Sequence, residues 1–250
     1  MSGHERSPQA ARLSRPEPVP AVLAEGKLEI VGLMPNASNY TFLARATRGE
    51  DEVFAIYKPM RGEVPLWDFP EGTLHRREVA AYELARALGW PDIPPTVLRD
   101  GPEGEGSVQL FVRFDPEQHF FRLEMQRRDD FRRFALFDVV ANNADRKAGH
   151  CLLGDDGRIW GIDHGVCFAA EPKLRTVIWT FAGDPIPADL SADLGRLAGE
   201  LDGGAAGERL RSLLSAEELD ATSARLDDLL RAKVFPEPDP SRRPFPWPPI

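Results

Sequence analysis

The 250-residue chain carries 31 Lys and Arg against 40 Asp and Glu, a formal net charge of −9, which disfavours nonspecific attachment to nucleic-acid phosphates or anionic lipid. With 42% hydrophobic and 28% charged residues and no apolar run of transmembrane length, it reads as a soluble globular protein of one domain or two small lobes, cytoplasmic by default. Its two cysteines, Cys151 and Cys167, give no disulfide framework.

Residues 1–25 mix Pro16, Pro18 and Pro20 with polar side chains and lack a signal peptide's apolar core, so a disordered tail is expected before a domain over 26–234. Leu28, Ile30 and Gly32, then Thr41 to Ala46, read as two strands joined by a turn of small residues. Ser38 and Asn39 in that turn can present backbone N–H groups to a phosphate, although such turns occur in any hairpin. Val53 to Lys58 is a strand whose alternation puts Lys58 on the face of Phe54 and Ile56.

Leu74 to Leu88 has the period of a helix closed by Gly89, with Glu78 on the stripe formed by Ala81, Leu84, Ala85 and Leu88. A cation and a carboxylate are each costly to bury alone, so the economical inference pairs Lys58 with Glu78. The alternative lets Lys58 snorkel to water and leaves Glu78 at the helix boundary. Residues 61–73 form a short ordered loop with Leu66, Trp67 and Phe69 between Pro65 and Pro70, and Ser107 to Val112 is a short apolar strand.

Residues 129–141 make an amphipathic helix that Asp129 or Asp130 can cap, delivering Asn142-Asn143-Ala144-Asp145 into a loop. Asp156-Gly157 signals a two-residue hairpin turn between Cys151-Leu152-Leu153 and Ile159-Trp160-Gly161-Ile162. In that register Leu153 opposes Trp160, Cys151 opposes Ile162, and His150 falls opposite Asp163, near Asp145. Two carboxylates and an imidazole converging there suit phosphoryl transfer, one Asp orienting the attacking hydroxyl and another holding Mg²⁺; the alternative is a surface hairpin with solvated acids. His150, Cys151, His164 and Cys167 are zinc-ligand types, but neighbours on a strand face opposite ways, so a zinc site is not expected.

Residues 164–187 carry Phe168, Trp179, Phe181, Pro185 and Pro187, with aromatics that suit either a substrate lip or core. Residues 188–234 read as a helical closing unit, with Ser191 and Ser215 as caps, Glu218 completing a capping box, and Gly203-Gly204 separating helices. The tail 235–250 has proline at seven of sixteen positions and is expected as extended polyproline, able to bind an aromatic groove in cis or as a protein ligand in trans.

The run ADRKAGH at 144–150, followed by GIDHG at 161–165, resembles the catalytic and metal-binding loops of phosphatidylinositol 3- and 4-kinases, nearest the type II 4-kinases, and is also similar to HipA-type kinases. Tyr57-Lys58-Pro59, REVAAYELARALGW at 77–90, IPPT at 93–96 and SVQLFV at 107–112 match that family in order, so the resemblance spans about 34–187. It implies an α+β, two-lobed protein-kinase-like fold, with a small antiparallel-sheet N-lobe over about 26–112, a larger helical C-lobe over about 113–234, and ATP between them.

By the same resemblance Asp145 is the catalytic acid and Asp163 the metal ligand. Lys58, aligned by Glu78, orients phosphates under a loop bearing Ser38 and Asn39, while Gln109, Leu110, Phe111 and Val112 form the hinge that meets adenine. His150 stands where the family has a second metal-binding Asn, and neutral imidazole is a poor ligand for hard Mg²⁺; Mn²⁺ is an alternative. The cysteine-bearing insertion that anchors type II lipid kinases is absent from 61–73, so stable membrane anchoring is not expected.

The implied function is an ATP-dependent kinase acting on a protein or soluble small-molecule hydroxyl. The alternatives are a phosphoinositide lipid kinase and a nucleotide-binding regulator of the pseudokinase type.

Overall fold

The computed structural model describes residues 19–35 and 39–250. Five strands build one antiparallel sheet: β1 (Lys27–Leu33), β2 (Phe42–Arg48), β3 (Asp51–Pro59), β4 (Thr96–Gly101) and β5 (Gly104–Leu110), in the order β1-β2-β3-β5-β4. Alternation along β3 buries Val53, Ala55 and Tyr57 against Val22 and Leu23 of helix α1 (Val19–Glu25), and turns Phe54, Ile56 and Lys58 to the opposite, half-buried face. Helix α2 (Leu74–Leu88) contacts β4 and β5 and completes the smaller lobe.

Two expectations change here. The tail expected over 1–25 lies outside the described residues as far as position 18, but 19–25 is helix, and Val19, Val22 and Leu23 at helical spacing are buried. Pro20 is tolerated because it sits in the first turn, where its missing N–H has no intrahelical acceptor. The sequence reading also passed over β4, whose half-buried Val97, Leu98 and Arg99 lack the alternation of a one-sided strand.

Helix α2 ends as expected at Gly89, whose φ of 85° is left-handed and suits a residue without Cβ. Its start is capped from outside the helix. The Glu63 carboxylate accepts the N–H groups of Leu74 at 3.2 Å and His75 at 2.8 Å, and a negative charge there also opposes the positive end of the helix dipole.

The larger lobe contains α3 (Phe120–Leu123), α4 (Arg128–Ala141), the hairpin β6 (Cys151–Leu153) with β7 (Ile159–Gly161), then α5 (Ala188–Gly203), α6 (Ala205–Arg211) and α7 (Ala216–Ala232). Its core joins Phe131, Phe134 and Phe137 of α4 to Leu194, Leu197 and Leu226. The Ser215–Glu218 capping box forms at the start of α7, and α5 stops at Gly203 as expected. Ser191 lies inside α5 because Pro187 precedes the first turn, and Asp129 and Asp130 occupy the first turn of α4 instead of capping it. Among the described residues no helix is long and apolar enough to cross a membrane.

Candidate active site

Strand β3 brings Lys58 to the mouth of the interlobe cleft, where its ammonium hydrogen-bonds the Glu78 carboxylate from α2 and lies 2.8 Å from Oδ1 of Asp163. The Glu78 side chain is 4% exposed and that of Lys58 21%, so the pair is buried and the snorkelling alternative falls. The second Glu78 oxygen accepts the backbone N–H of His164 at 2.9 Å. Burial opposes the charged ammonium, but Asp163 and Glu78 outweigh it and hold the Lys58 pKa above its ordinary value. The charge of Lys58, against the opposing effect of burial, holds Asp163 well below the usual carboxylate range.

The hairpin departs from its expected register by one residue. Cys151 pairs with Gly161, Leu152 with Trp160 and Leu153 with Ile159, because Gly154 closes the ladder on Arg158 and leaves a three-residue loop ending at left-handed Gly157, with φ 78°. All three residues of β7 are buried and β6 is nearly so; with no exposed face, nothing in the pattern pins the register.

His150 and Asp163 nevertheless meet, Nε2 lying 3.3 Å from Oδ2. A single helical turn at 148–150 and the left-handed backbone of Asp163, φ 62°, replace the expected cross-strand pair. Nδ1 of His150 accepts the Lys147 N–H at 3.4 Å, which assigns the ring hydrogen to Nε2, facing Asp163. Burial, aided by nearby cations and opposed by Asp163, lowers the His150 pKa to about 4, so the ring is neutral near pH 7.

Asp145 lines the same cleft from the loop after α4, its N–H bonded to Oδ1 of Asn143 at 3.0 Å and its Oδ2 3.2 Å from Nζ of Lys147. Burial pushes its carboxyl above the ordinary value of 3.8, against the pull of Lys147. Arg146, next to Asp145, turns away from the cleft and is fully buried. Its guanidinium forks onto Asp138 at 2.8 to 3.1 Å and donates to Nε2 of His164 at 2.8 Å. Thr176 and Asn143 also donate to Asp138. Asp138 on an otherwise apolar helix face was the signal that an internal cation would be needed.

The cleft holds about 510 Å³ and is bounded also by Asn39, Glu63, His75 and Ile250. Asn39 engages the following loop, its Oδ1 accepting the Val64 N–H at 2.8 Å; Ser38 lies outside the described residues. Gln109 is buried and its side chain donates to Thr96 at 2.9 Å, and the N–H groups of Leu110 and Phe111 bond to Pro95 and Phe54 carbonyls. Val112 follows, half-buried, on the connection between lobes. The aromatic lip does not form, since Phe181 is buried and the Trp179 indole donates to the Pro244 carbonyl at 3.1 Å. Cys151 and Cys167 are buried thiols whose pKa values burial raises, that of Cys151 to about 12. No group of three or more His, Cys, Asp or Glu suited to a metal occurs among the described residues.

No family model matches the chain. Protein Rv2133c of Mycobacterium tuberculosis is 41% identical over 263 residues, covering 91% of this chain and 94% of that protein. Phosphatidylinositol 4-kinase gamma 4 of Oryza sativa is 26% identical over 247 residues, covering 75% of this chain and 44% of the plant protein, so the chain spans less than half of that relative. The crystal structure of the Helicobacter pylori proinflammatory kinase CtkA superposes with a TM-score of 0.52 at 12% identity, covering 85% of this chain and 94% of that one. The fold is therefore kinase-like.

Proposed function

This chain belongs to the same family as Protein Rv2133c, and from its likeness to a plant phosphatidylinositol 4-kinase, the kinase-like fold and the cleft we propose that it is an ATP-dependent phosphotransferase related to the phosphatidylinositol 3- and 4-kinases. The observation that carries the reading is the joining of Lys58, Glu78 and Asp163 across the lobes, with Asp145 lining the same cleft. A protein or a soluble small molecule supplies the acceptor hydroxyl.

The residues fit a hard divalent cation in the way nucleotide enzymes hold one. Asp163 offers a half-exposed carboxylate while the nucleotide's own phosphates supply further oxygens, so a closed protein cage is not needed. Mg²⁺ or Mn²⁺, when bound, supplies neutralisation of phosphate charge. His150 as placed donates to Asp163 and steadies it; ligating would require the other tautomer and loss of the Lys147 contact. Lys58, held by Glu78, is aimed at the phosphates. Asp145, with a carboxyl pKa raised by burial, accepts a hydrogen bond from the incoming hydroxyl and takes up its proton. Lys147, 3.2 Å from Asp145, keeps that carboxylate oriented. The half-buried residues Phe111 and Val112, on the connection between lobes, are the candidate seat for a base, although the Phe111 N–H is already bonded to Phe54.

Isothermal titration with ATP, with and without Mg²⁺ or Mn²⁺, followed by transfer of the γ-phosphate from labelled ATP, tests the reading. Metal-dependent binding and label transfer are expected; no ATP binding in any metal would overturn it. One observation favours a second reading, a nucleotide-binding regulator without turnover: His150 supplies a neutral donor where a kinase has an amide ligand. Tight binding with no transfer to any acceptor, water included, would select that reading.

A further inference from the structure

The proline-rich tail folds back onto its own chain. Two of its contact points are backbone donors beside the catalytic loop: the Ala148 N–H donates to Pro249 at 2.8 Å, and the Thr176 N–H donates to Pro244 at 3.0 Å. The Trp179 indole N–H shares the Pro244 carbonyl at 3.1 Å, and Arg242 reaches the Pro172 carbonyl at 2.5 Å. Both points are tied to the site itself. Arg146 and Thr176 form a parallel bridge through Arg146 N–H to Arg175 and Val177 N–H to Arg146, while Ala148 opens the turn that ends at His150. Between the anchors Phe245 and Trp247 face outward, and Ile250 comes to rest in the cleft wall with Asp145 and Lys147.

An extended polypeptide acceptor docks by exchanging backbone hydrogen bonds with just such open N–H groups. Here they are occupied in cis by carbonyls of residues that cannot themselves donate and so cannot extend the ladder outward. We infer that residues 244–250 form the acceptor-side wall of the cleft and restrict the acceptor to a compact hydroxyl compound, free or displayed as a headgroup, to the exclusion of extended polypeptide. The inference rests on the phosphotransferase reading and narrows its substrate class.

The test compares the full chain, the full chain with Ile250→Gly, and a chain lacking 244–250. Labelled ATP is given with four acceptors: water, free myo-inositol, phosphatidylinositol vesicles, and a serine-containing decapeptide. Because even one methylene in a pocket discriminates by about tenfold or more, removal of 244–250 is expected to raise peptide labelling relative to ATP hydrolysis by at least that factor, with Ile250→Gly intermediate. Taking the ratio within each sample cancels any loss of folded protein. Exchange of the Ala148 and Thr176 amides should be slow in the full chain and fast in the shortened one. The inositol and vesicle arms separate a free acceptor from a headgroup. A peptide-to-water ratio unchanged by the deletion, or peptide labelling by the full chain as fast as by the shortened one, overturns the inference while leaving the phosphotransferase standing. Absence of metal-dependent ATP binding in the full chain removes both.

Discussion

At the residue scale the buried ion pairs dominate. Changing Lys58 to Ala strands the Glu78 carboxylate, only 4% exposed, a loss typically of about 3 to 5 kcal/mol for a buried pair, whereas Glu78→Ala costs less because the Lys58 left behind is 21% exposed and keeps Asp163 at 2.8 Å. Denaturant midpoints equal to the parent for both variants would contradict the burial described here. Arg146→Ala should cost at least as much, since both side chains of the Arg146–Asp138 pair are fully buried, and Arg146→Lys should not restore it because an ammonium cannot reproduce the fork. Asp163→Asn should abolish metal dependence of nucleotide binding while the melting transition persists; unchanged Mg²⁺ dependence in titration would remove Asp163 as the ligand.

The Lys58–Glu78 pair could be read from sequence because each member interrupted an apolar pattern. The Arg146–Asp138 pair showed only its acid half, since Asp138 on an apolar helix face calls for a cation without naming it. Arg146 sits in a polar loop whose burial arises only when residues 175–177 pack beside it.

At the scale of elements, the start of α2 is a pH-sensitive joint. Burial acts to raise the Glu63 pKa, but hydrogen bonds from the His75 ring and from the His75 and Leu74 N–H groups outweigh it and hold the carboxyl below its ordinary 4.5. A depressed carboxylate contributes stability that is complete above the unfolded value and lost as pH falls below about 4.5 through the folded one. Glu63→Gln should therefore flatten the acid limb of the stability curve there, measured by urea unfolding between pH 3 and 6; a parallel acid limb would show that the cap does not titrate. Ser215→Ala, which removes the capping box of α7, should cost about 1 kcal/mol without altering nucleotide affinity.

Periodicity and Gly89 fixed the extent of α2 almost to the residue, whereas the β6–β7 register turned on whether the loop had two residues or three. An Asp-Gly pair serves both lengths, placing Gly second in one and at the left-handed closing position in the other. Helix α1 was hidden for a related reason, its short apolar stripe being interrupted by Pro20, which only the first turn can hold.

At the scale of the molecule, the two-lobed plan followed from motif order, and docking of the tail in cis was one of two outcomes its composition left open, but its partners were not legible: extended proline-rich chain has no amphipathic signature, and it meets backbone N–H groups far away in sequence instead of an aromatic groove. If ATP bridges the lobes, a concentration one hundred times its Kd should stabilise the fold by about 2.7 kcal/mol, read as a shift in thermal melting in the presence of Mg²⁺. No shift at saturation would mean that nucleotide binds the unfolded chain equally well or not at all.

One carboxylate links these scales. Glu78 grips Lys58 of the sheet with one oxygen and the backbone after Asp163 with the other. A swing of α2 outward would release both grips at once, since neither oxygen has a fixed anchor apart from the helix that carries it. Disengagement is then a single event in time, with no stage in which the ammonium is loose while the acidic loop stays tethered. A fluorophore reporting on the sheet and another reporting on residues 163–165 should relax with one shared rate constant.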